Sequence, residues 1–283
     1  MYKSLNPGLV GIKVSRFDEL LNLAGKNGYG AVSYDPLALE TQGLDDFAAL
    51  DLMAQYGVII SDFGLPVNIT SKDSFNDSFP KLEKAARAAA RLGIRRCATW
   101  MLSFSDEFEF AENFSRHTKM LRLIAEVLDA YGILFGVEFL GPKTIRAKGK
   151  YPFIHTPTGM LEIIDAVGTG NMGLLLDAHH CYTAGLRGGE FAGLIRSERD
   201  IVLVHLNDDA PGIPLDEITD SPRYYPGEHG GGGNDLPGFM NALKALGYTG
   251  PVVAEPFSEA LKNLDNEAIA KIIAESTDSV WPS

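Results

Sequence analysis

Four ionisable side chains stand at the ends of apolar segments, and together they could bind a divalent metal ion. The four residues are Glu138, Asp177, His205 and Glu255. An ionisable group at the end of a buried strand is costly to desolvate, so it usually has a partner. Three carboxylates and one imidazole form an oxygen and nitrogen site that suits Mn2+ foremost, with Mg2+, Co2+ and Zn2+ as alternatives. We therefore predict one bound divalent ion, because three converging carboxylates would otherwise repel each other.

Each of these residues also has an ordinary structural interpretation when it is considered alone. Glu138 could pair with an arginine, Asp177 could cap a helix, and His205 could form a hydrogen-bonded loop pair with Asp208. Glu255 is harder to explain in this way, because it directly follows an apolar strand. Coincidence at four separate strand ends is improbable, so a metal site is the preferred interpretation of the whole set.

The segments that must position these residues alternate between helix and strand along the chain. Glycines at 28, 57, 93 and 132 end successive helices at intervals of roughly 30 to 40 residues, which is the length of one strand-helix unit. Eight strands are predicted near residues 10–14, 30–34, 58–63, 94–101, 133–139, 172–177, 201–206 and 251–255. Eight such units predict an α/β fold, a single (β/α)8 TIM barrel that spans residues 1–283 as one domain. The ends of its last four strands would bring the four ionisable residues to one face.

The first of these units illustrates the pattern. After the strand at 10–14, Ser15 and Asp18 have the spacing of a capping box, which predicts a helix start. The following residues place apolar side chains on one helical stripe that begins at Phe17. An open doubly wound sheet is the alternative fold, but no glycine-rich dinucleotide motif follows this first strand.

Composition indicates an ordinary globular protein in a reducing compartment. The chain has 283 residues, of which 45% are hydrophobic and 22% charged. No apolar run reaches the length of a membrane span, and Met1 to Lys13 lacks a signal-peptide pattern. The two cysteines, Cys97 and Cys181, do not have the spacing of a metal site. We therefore expect a cytoplasmic protein with reduced thiols and no membrane partner.

The charge balance argues against nucleic acid as a partner. A net charge of −12 repels polyanions unless a local basic patch overrides it. The chain has one basic cluster, which is formed by Lys143, Arg146, Lys148 and Lys150. We interpret this cluster as a solvated surface, with contact to a substrate phosphate as the alternative.

Five short motifs carry a resemblance to a known family. They are Val-Glu-Phe at 137–139, Leu-Leu-Leu-Asp-Ala-His-His at 174–180, Val-His-Leu-Asn-Asp at 204–208, Arg-Tyr-Tyr-Pro-Gly-Glu at 223–228 and Ala-Glu-Pro-Phe at 254–257. As an ordered set, they resemble the xylose-isomerase-like TIM-barrel sugar phosphate isomerase/epimerase superfamily. Within it, the chain is most similar to the 2-keto-myo-inositol (inosose) isomerase branch. The resemblance is strong over residues 120–260 and rests on the helix-strand rhythm before that.

The resemblance implies a role for each matching residue. Glu138, Asp177, His205 and Glu255 match the metal ligands, and the two glutamates also match the catalytic pair that moves protons. His180 matches a histidine that hydrogen-bonds a substrate oxygen. Arg223 matches an arginine that clamps substrate or fixes a neighbouring carboxylate. The sequence departs from the family after Pro-Gly-Glu, where His229 and four glycines at 230–233 precede Asn234 and Asp235.

The expected chemistry is proton transfer next to a carbonyl of a small sugar or keto-polyol. A metal that chelates adjacent carbonyl and hydroxyl oxygens acidifies the neighbouring carbon and stabilises a cis-enediolate. One glutamate removes the proton and the other returns one, which gives an isomer or an epimer. A substrate of the inosose or 3-dehydroshikimate type with a β-hydroxyl group would lose water instead, so a metal-dependent dehydratase is the alternative.

Two further classes and several extra residues are open at this point. An endonuclease IV-like phosphodiester hydrolase would need additional histidines at early strand ends, where this chain has Tyr34, Asp62 and Trp100. A non-catalytic sugar-binding protein would be expected to have lost a ligand or a proton-moving glutamate. These three early residues, with Phe139, are candidates for substrate contact that we leave outside the predicted site. The resemblance also suggests a homodimer.

Overall fold

Eight parallel strands close into a barrel in the computed structural model, which describes residues 1–230 and 232–283. The barrel strands are β1 (Tyr2–Leu5), β2 (Ala31–Ser33), β3 (Ile59–Gly64), β4 (Arg96–Met101), β6 (Leu134–Phe139), β8 (Met172–Asp177), β9 (Ile201–Leu206) and β10 (Pro251–Ala254). Two short strands, β5 (Phe104–Ser105) and β7 (Tyr151–Pro152), pair antiparallel outside the barrel. The predicted (β/α)8 barrel is confirmed, and its last barrel strand pairs with its first.

Helices surround the barrel and follow its strands along the chain. They are α1 (Pro7–Val10), α2 (Phe17–Lys26), α3 (Ala38–Thr41), α4 (Asp46–Tyr56), α5 (Lys72–Ser78), α6 (Leu82–Arg91), α7 (Phe110–Asp129), α8 (Lys143–Arg146), α9 (Pro157–Val167), α10 (Ala178–Thr183), α11 (Leu236–Ala245) and α12 (Asn266–Ser279). Gly57 takes a left-handed conformation with φ 65° as α4 ends, which only glycine adopts without strain. Within the described residues, none of the helices is both long and apolar enough to cross a lipid bilayer.

The first strand is the one element that the sequence prediction misplaced. The strand predicted at 10–14 is instead a helix end followed by a loop, and β1 lies at Tyr2–Leu5. Val10 and Ile12 are buried against the outer helices, which gives this loop the apolar alternation of a strand. Gly11 takes φ 80° as α1 ends, so it breaks the extended backbone there.

The start of α2 also differs from the predicted capping box. Arg16, not Ser15, is the N-cap residue, and its side chain makes no capping hydrogen bond. The free backbone N–H of Phe17 donates to Gln42 Oε1 at 2.9 Å, so a distant side chain satisfies the helix end. Asp18 instead forms an exposed ion pair with Arg16.

A compact apolar plug fills the barrel interior directly beneath the predicted metal ligands. Its members are Ala98, Leu175, Leu203 and Val253. Side chains two residues apart in a strand point to the same face. Asp177, His205 and Glu255 therefore lie one layer above Leu175 and its neighbours, at the carboxyl end of the barrel. The separate large core lies between the barrel and its helices.

The glycine run is described in part. Gly230, Gly232 and Gly233 fall within the described residues, whereas Gly231 lies outside them. The N–H of Gly233 donates to Asp209 O at 2.8 Å, which joins this end of the run to the segment that follows β9. The departure from the family pattern therefore lies at the carboxyl face of the barrel.

Candidate metal centre

The structure brings the four predicted ligands to one point. Ligand atoms of Glu138, Asp177, His205 and Glu255 all lie within 4.8 Å of one another, and all four residues are buried. Strand register explains the convergence, because Asp177 on β8 is the direct partner of His205 on β9. Glu255 extends β10 by one residue and its N–H donates to Leu206 O at 3.0 Å.

His205 faces two of the carboxylates without forming a hydrogen bond to either. Its Nδ1 lies 3.2 Å from Glu255 Oε2 and 3.6 Å from Glu138 Oε1. Both this Nδ1 and Glu138 Oε1 are buried polar atoms that have no hydrogen-bond partner. Most buried polar atoms are paired, so two such atoms facing each other call for a further partner. The donor set of one imidazole and three carboxylates fits a divalent cation bound between them.

Charges within the cluster also fit a cation. Burial raises the pKa values of Glu138 and Asp177, and the neighbouring carboxylates raise them further. Burial alone would lower the pKa of His205, but Glu255 and Glu138 reverse this and raise it well above the ordinary value. Burial would raise the pKa of Glu255 as well, but His205 and Arg223 lower it to about 2. A divalent ion would favour the ionised forms of Glu138 and Asp177, which burial disfavours.

Asp177 is fixed by three hydrogen bonds. Its Oδ1 accepts from the backbone N–H of His180 at 2.8 Å, where Asp177 caps α10. Its Oδ2 accepts from Asn207 Nδ2 at 2.8 Å and from Arg223 Nη1 at 3.3 Å. Asn207 in turn accepts from the N–H of His179 at 2.9 Å. Sequence reasoning missed Asn207, although it lies inside the His-Leu-Asn-Asp motif, two residues after the predicted ligand.

Arg223 lies beside the cluster and contacts two of its carboxylates. Its Nη1 donates to both Glu255 Oε2 and Asp177 Oδ2, and its Nη2 donates to Asp220 Oδ1 at 2.6 Å. Burial lowers the pKa of this guanidinium, but Asp177 and Glu255 reverse that effect and raise it above its ordinary value. Its guanidinium also stacks over the ring of Phe257, 4.8 Å from the ring centre. Arg223 therefore contacts two neighbouring carboxylates, and its role towards a substrate stays a prediction.

His180 lies behind Arg223 and is fully buried. Its Nε2 lies 3.1 Å from Arg223 Nη2, and its Nδ1 faces the N–H of Gly141 at 3.3 Å. Burial lowers the pKa of His180 well below its ordinary value, and Arg223 lowers it further. The ring is therefore neutral and offers an acceptor to the arginine. Contact between His180 and a substrate oxygen stays a prediction.

A second group of potential ligands is formed by His179, His180 and Asp220. The guanidinium of Arg223 already lies between the last two, because its Nη2 contacts both His180 Nε2 and Asp220 Oδ1. His179 points elsewhere, with Nδ1 2.7 Å from Asp209 Oδ1. This second group is therefore an arginine-binding arrangement, and His179 makes a separate contact with Asp209.

A cavity of ≈ 560 Å³ opens beside the cluster, and we call it the metal cavity. Its lining includes Glu138, His205 and Glu255, together with Arg223 and Phe257. It also includes Asn6, Leu9, Asp62, Phe63, Gly64, Ala98, Thr99, Trp100, Leu102, Phe104, Leu140, Ile145, Lys148, Leu175, Leu203 and Asp220. The cavity combines apolar walls with a few converging polar groups, which is typical of a small-molecule site.

The residues that the sequence analysis left uncommitted divide into two pairs. Asp62 and Trp100 line the metal cavity, and Asp62 accepts hydrogen bonds from Ser33 and Ser61. Tyr34 instead accepts a hydrogen bond from Gln42 Nε2, and Phe139 is fully buried in the core.

The basic cluster is also divided between different contacts. Lys148 lines the metal cavity, whereas Lys143 pairs with Asp216 and Arg146 donates to Gly141 O. The remaining member, Lys150, lies over the ring of Tyr151. The cluster therefore presents one of its four cations to the cavity, while the other three contact protein groups elsewhere.

Comparison with known proteins gives matches over nearly the whole chain. The sequence model of the xylose isomerase-like TIM barrel family matches residues 21–279. An inosose isomerase of Bacillus velezensis is 22% identical over 271 residues, which cover 94% of this chain and 92% of that protein. An inosose isomerase of Halalkalibacterium halodurans is 27% identical over 161 residues, covering 57% of this chain and 52% of that protein.

Solved structures match the fold as well. A xylose isomerase domain protein from Alicyclobacillus acidocaldarius superposes with a TM-score of 0.85 and 29% identity, over 99% of this chain and 98% of that one. The structure of the IOLI protein with a bound zinc atom superposes with a TM-score of 0.80 over 99% of this chain and 98% of that one. Its identity of 20% makes it evidence for the fold.

Proposed function

Because this chain belongs to the xylose isomerase-like TIM barrel family, we propose that it is a divalent-metal-dependent isomerase or epimerase of a sugar or keto-polyol. The observation that carries this proposal is the convergence of four buried ligand residues beside one cavity. The inosose isomerases among its relatives support a keto-polyol as the substrate. The four proposed ligands are Glu138, Asp177, His205 and Glu255.

The proposal assigns proton transfer to Glu138 and Glu255. A divalent cation held by the four ligands would supply Lewis-acid polarisation of the substrate carbonyl. Both glutamates line the metal cavity, and β6 and β10 carry them from positions separated by β8 and β9 around the barrel. They therefore reach a bound substrate from two sides. One carboxylate removes the proton beside the carbonyl, and the other returns a proton to the neighbouring carbon or to the same one.

Arg223 and His180 are proposed to prepare the site for this transfer. Arg223 lines the cavity and contacts Glu255, so it can orient this carboxylate while it also meets a substrate oxygen. His180 contacts Arg223 from the buried side, which supports a positioning role through the arginine. An orientation held by several contacts lowers the cost of reaching the reactive geometry.

We also propose a domain organisation, a location and a metal ion for the whole protein. We assign residues 1–283 to one domain, which is supported by the pairing of β1 with β10. We assign a cytoplasmic location, which is supported by two buried cysteines that form no disulfide. Mn2+ is the proposed ion, since hard oxygen ligands dominate the donor set.

The test is exchange of substrate protons with solvent deuterium. The Mn2+-loaded protein is incubated in D2O with a panel of ketoses, inososes and 3-dehydroshikimate, and NMR follows deuterium beside each carbonyl. We expect incorporation with a ketose or an inosose, and almost complete loss of exchange in Glu255→Gln. Glu162→Gln, an exposed glutamate on α9, is the matched control and should exchange like the wild type.

The product identifies the reaction class. An isomer or an epimer would agree with the proposal, whereas elimination of water from 3-dehydroshikimate would establish a dehydratase instead. Absence of exchange with every substrate, in protein shown to bind Mn2+, would refute the assignment of Glu138 and Glu255 as proton carriers.

A further inference from the structure

A second cavity adjoins the metal cavity and shares part of its wall. This side cavity measures ≈ 530 Å³ and lies between the loops that follow β3 and β4 and the first turns of α7. Thr99, Trp100, Leu102 and Phe104 line both cavities. A molecule bound in the metal cavity therefore contacts residues that also line the side cavity. The remaining lining residues are Leu65, Pro66, Val67, Asn68, Ile69, Thr70, Ser78, Ser105, Asp106, Glu107, Phe108, Arg116 and His117.

Trp100 joins the two cavities through its position in the barrel. It pairs in register with Glu138 on the neighbouring strand, so it lies beside a proposed metal ligand. Its side chain is 49% exposed, although β4 is a barrel strand covered by helices. Phe104 and Phe108 add two further aromatic side chains to the side cavity. Aromatic faces of this kind offer a flat apolar surface to a ligand ring.

Arg116 supplies a half-buried cation to the side cavity. Its acceptors are all uncharged, namely Asn113 Oδ1 at 3.3 Å, Thr70 O at 3.4 Å and His117 Nε2 at 3.1 Å. Each of its hydrogen bonds within residues 1–230 and 232–283 goes to an uncharged group, and its guanidinium carbon lies 5.2 Å from the centre of the Phe108 ring. An arginine held without an ion pair can give its remaining donors to a ligand oxygen.

His117 carries a second donor that lacks an acceptor. Its Nε2 lies 3.1 Å from Arg116 Nη2, and arginine can only donate, so Nε2 is the acceptor. Burial lowers the pKa of His117 to about 3, so the ring is neutral and its single proton sits on Nδ1. That Nδ1 is buried and has no hydrogen-bond partner, while the residue is 4% exposed. His117 therefore accepts from Arg116 and helps to fix its guanidinium, while its own Nδ1 is closed off from the cavity surface.

The remaining polar groups argue against an anionic ligand. Asp106 and Glu107 line the same cavity and are exposed, so a phosphate or carboxylate would meet two negative charges beside one arginine. Asn68 and Thr70 add uncharged donors and acceptors. A polyhydroxylated neutral ring satisfies donors and acceptors together, and its apolar face can pack on the aromatic side chains. The lining thus favours a sugar ring.

We propose that the side cavity binds a second sugar ring, so that the substrate is an extended keto-sugar whose reacting ring lies at the metal centre. This inference rests on the proposed function, because it treats the metal cavity as the place of reaction. Arg116 donates to an oxygen of the second ring, and Trp100 packs against its apolar face. A substrate with one ring would leave these groups unused.

Trp100 itself reports on the proposal, because the chain has two tryptophans, Trp100 and Trp281. In Trp281→Phe protein loaded with Mn2+, fluorescence then comes from Trp100 alone. It is titrated with cellobiose, maltose and sucrose, and with glucose and fructose. We expect at least one disaccharide to change the emission with a Kd at least about tenfold below that of either monosaccharide.

Variants of the side cavity locate the binding. Arg116→Gln should raise the disaccharide Kd by about tenfold or more, the effect of losing a charged donor. Glu107→Ala, a change at an exposed rim residue that does not put the fold at risk, should also raise the disaccharide Kd, because it removes a carboxylate that can accept from sugar hydroxyls. Arg122→Gln is the matched control, since Arg122 lies on α7 but donates to Ala166 O outside the cavity.

The outcomes separate this inference from the proposed function. Equal Kd values for disaccharides and monosaccharides, insensitivity to Arg116→Gln and Glu107→Ala, or binding of inorganic phosphate in place of every disaccharide would overturn the second-ring site. Disaccharide binding that depends on Arg116, in protein that exchanges no substrate deuterium, would keep the side cavity and refute the proposed reaction. Deuterium exchange in protein that binds no disaccharide would keep the proposed reaction and refute the second-ring site.

Discussion

Arg223 Nη1 donates to Glu255 Oε2 and lies 3.3 Å from Asp177 Oδ2, so one guanidinium nitrogen contacts two of the four proposed metal ligands. These ligands come from β8 and β10, which β9 separates in the barrel. The arginine itself comes from the segment that follows β9. A loop residue thereby contacts carboxylates from two strands that are not neighbours in the barrel.

Replacement of this arginine should weaken metal binding while the fold persists. In Arg223→Lys, a single ammonium cannot reproduce the planar fork that reaches Asp177, Glu255 and Asp220. We expect Mn2+ affinity to fall by about tenfold to a hundredfold, the usual effect of losing a group that orients metal ligands. Isothermal titration calorimetry measures this change.

Arg196→Lys is the matched control for that experiment. Arg196 also contacts two carboxylates, Asp165 and Asp200, but it does so on the exposed surface. Its replacement should leave Mn2+ affinity at the wild-type value. An Arg223→Lys protein that binds Mn2+ as tightly as the wild type would contradict the positioning role.

Asn207 should matter for the metal centre as much as for the fold. Asn207→Asp replaces the amide that donates to Asp177 Oδ2 at 2.8 Å with a carboxylate, which repels it. We expect a loss of about 1–3 kcal/mol in the free energy of unfolding, measured by urea denaturation, and weaker Mn2+ binding.

The control is Asn171→Asp, in a buried asparagine that donates to Ala125 O and Ile133 O, away from the cluster. It should cost comparable stability and leave Mn2+ affinity unchanged. If both variants weakened Mn2+ binding equally, the effect of Asn207 would be a general loss of stability.

The contrast between predicted and unpredicted features has a physical cause. Apolar runs fix where a buried strand ends, which is why His205 and Glu255 could be placed at the site from sequence alone. The sequence did not predict β1, because Tyr2–Leu5 is partly polar and half-buried, while the loop around Val10 has the more strand-like apolar pattern.

Features made by distant segments were harder to predict. The side cavity is formed where α7 packs against the loops after β3 and β4. The positions of Arg116 and His117 in the sequence therefore do not predict that they line a cavity. His180 follows Asp177 by three residues, but spacing does not reveal that its ring faces Arg223. Local pattern thus predicts which residues end strands, and tertiary packing decides what their neighbours contact.

Metal binding should stabilise the folded protein. Four side chains that converge on one point bind an ion in the native state, whereas the unfolded chain does not hold them together. Mn2+ at a hundred times its Kd should therefore raise the free energy of unfolding by about 2.7 kcal/mol. Thermal unfolding with Mn2+ and with EDTA measures the difference.

The dependence on the ligands is tested with a pair of histidine variants. His205→Gln should abolish the shift produced by Mn2+, because it removes the imidazole ligand. His155→Gln, on a half-buried residue outside the cluster, should retain the full shift. An Mn2+ shift of wild-type size in His205→Gln would place the ion elsewhere.

Acid should destabilise the protein through His117. Burial lowers its pKa from 6.5 to about 3. Between these two pH values, the imidazole is protonated in the unfolded chain and neutral in the folded protein. The stability that this neutral ring contributes is complete above pH 6.5 and is lost as pH falls towards 3. Between pH 7.5 and pH 5, the wild type should lose about 2 kcal/mol more of its free energy of unfolding than His117→Gln does. Urea denaturation across this range measures both slopes. Parallel slopes for the wild type and His117→Gln would show that His117 accepts a proton in the folded protein, which would remove the acceptor that its Nε2 offers to Arg116.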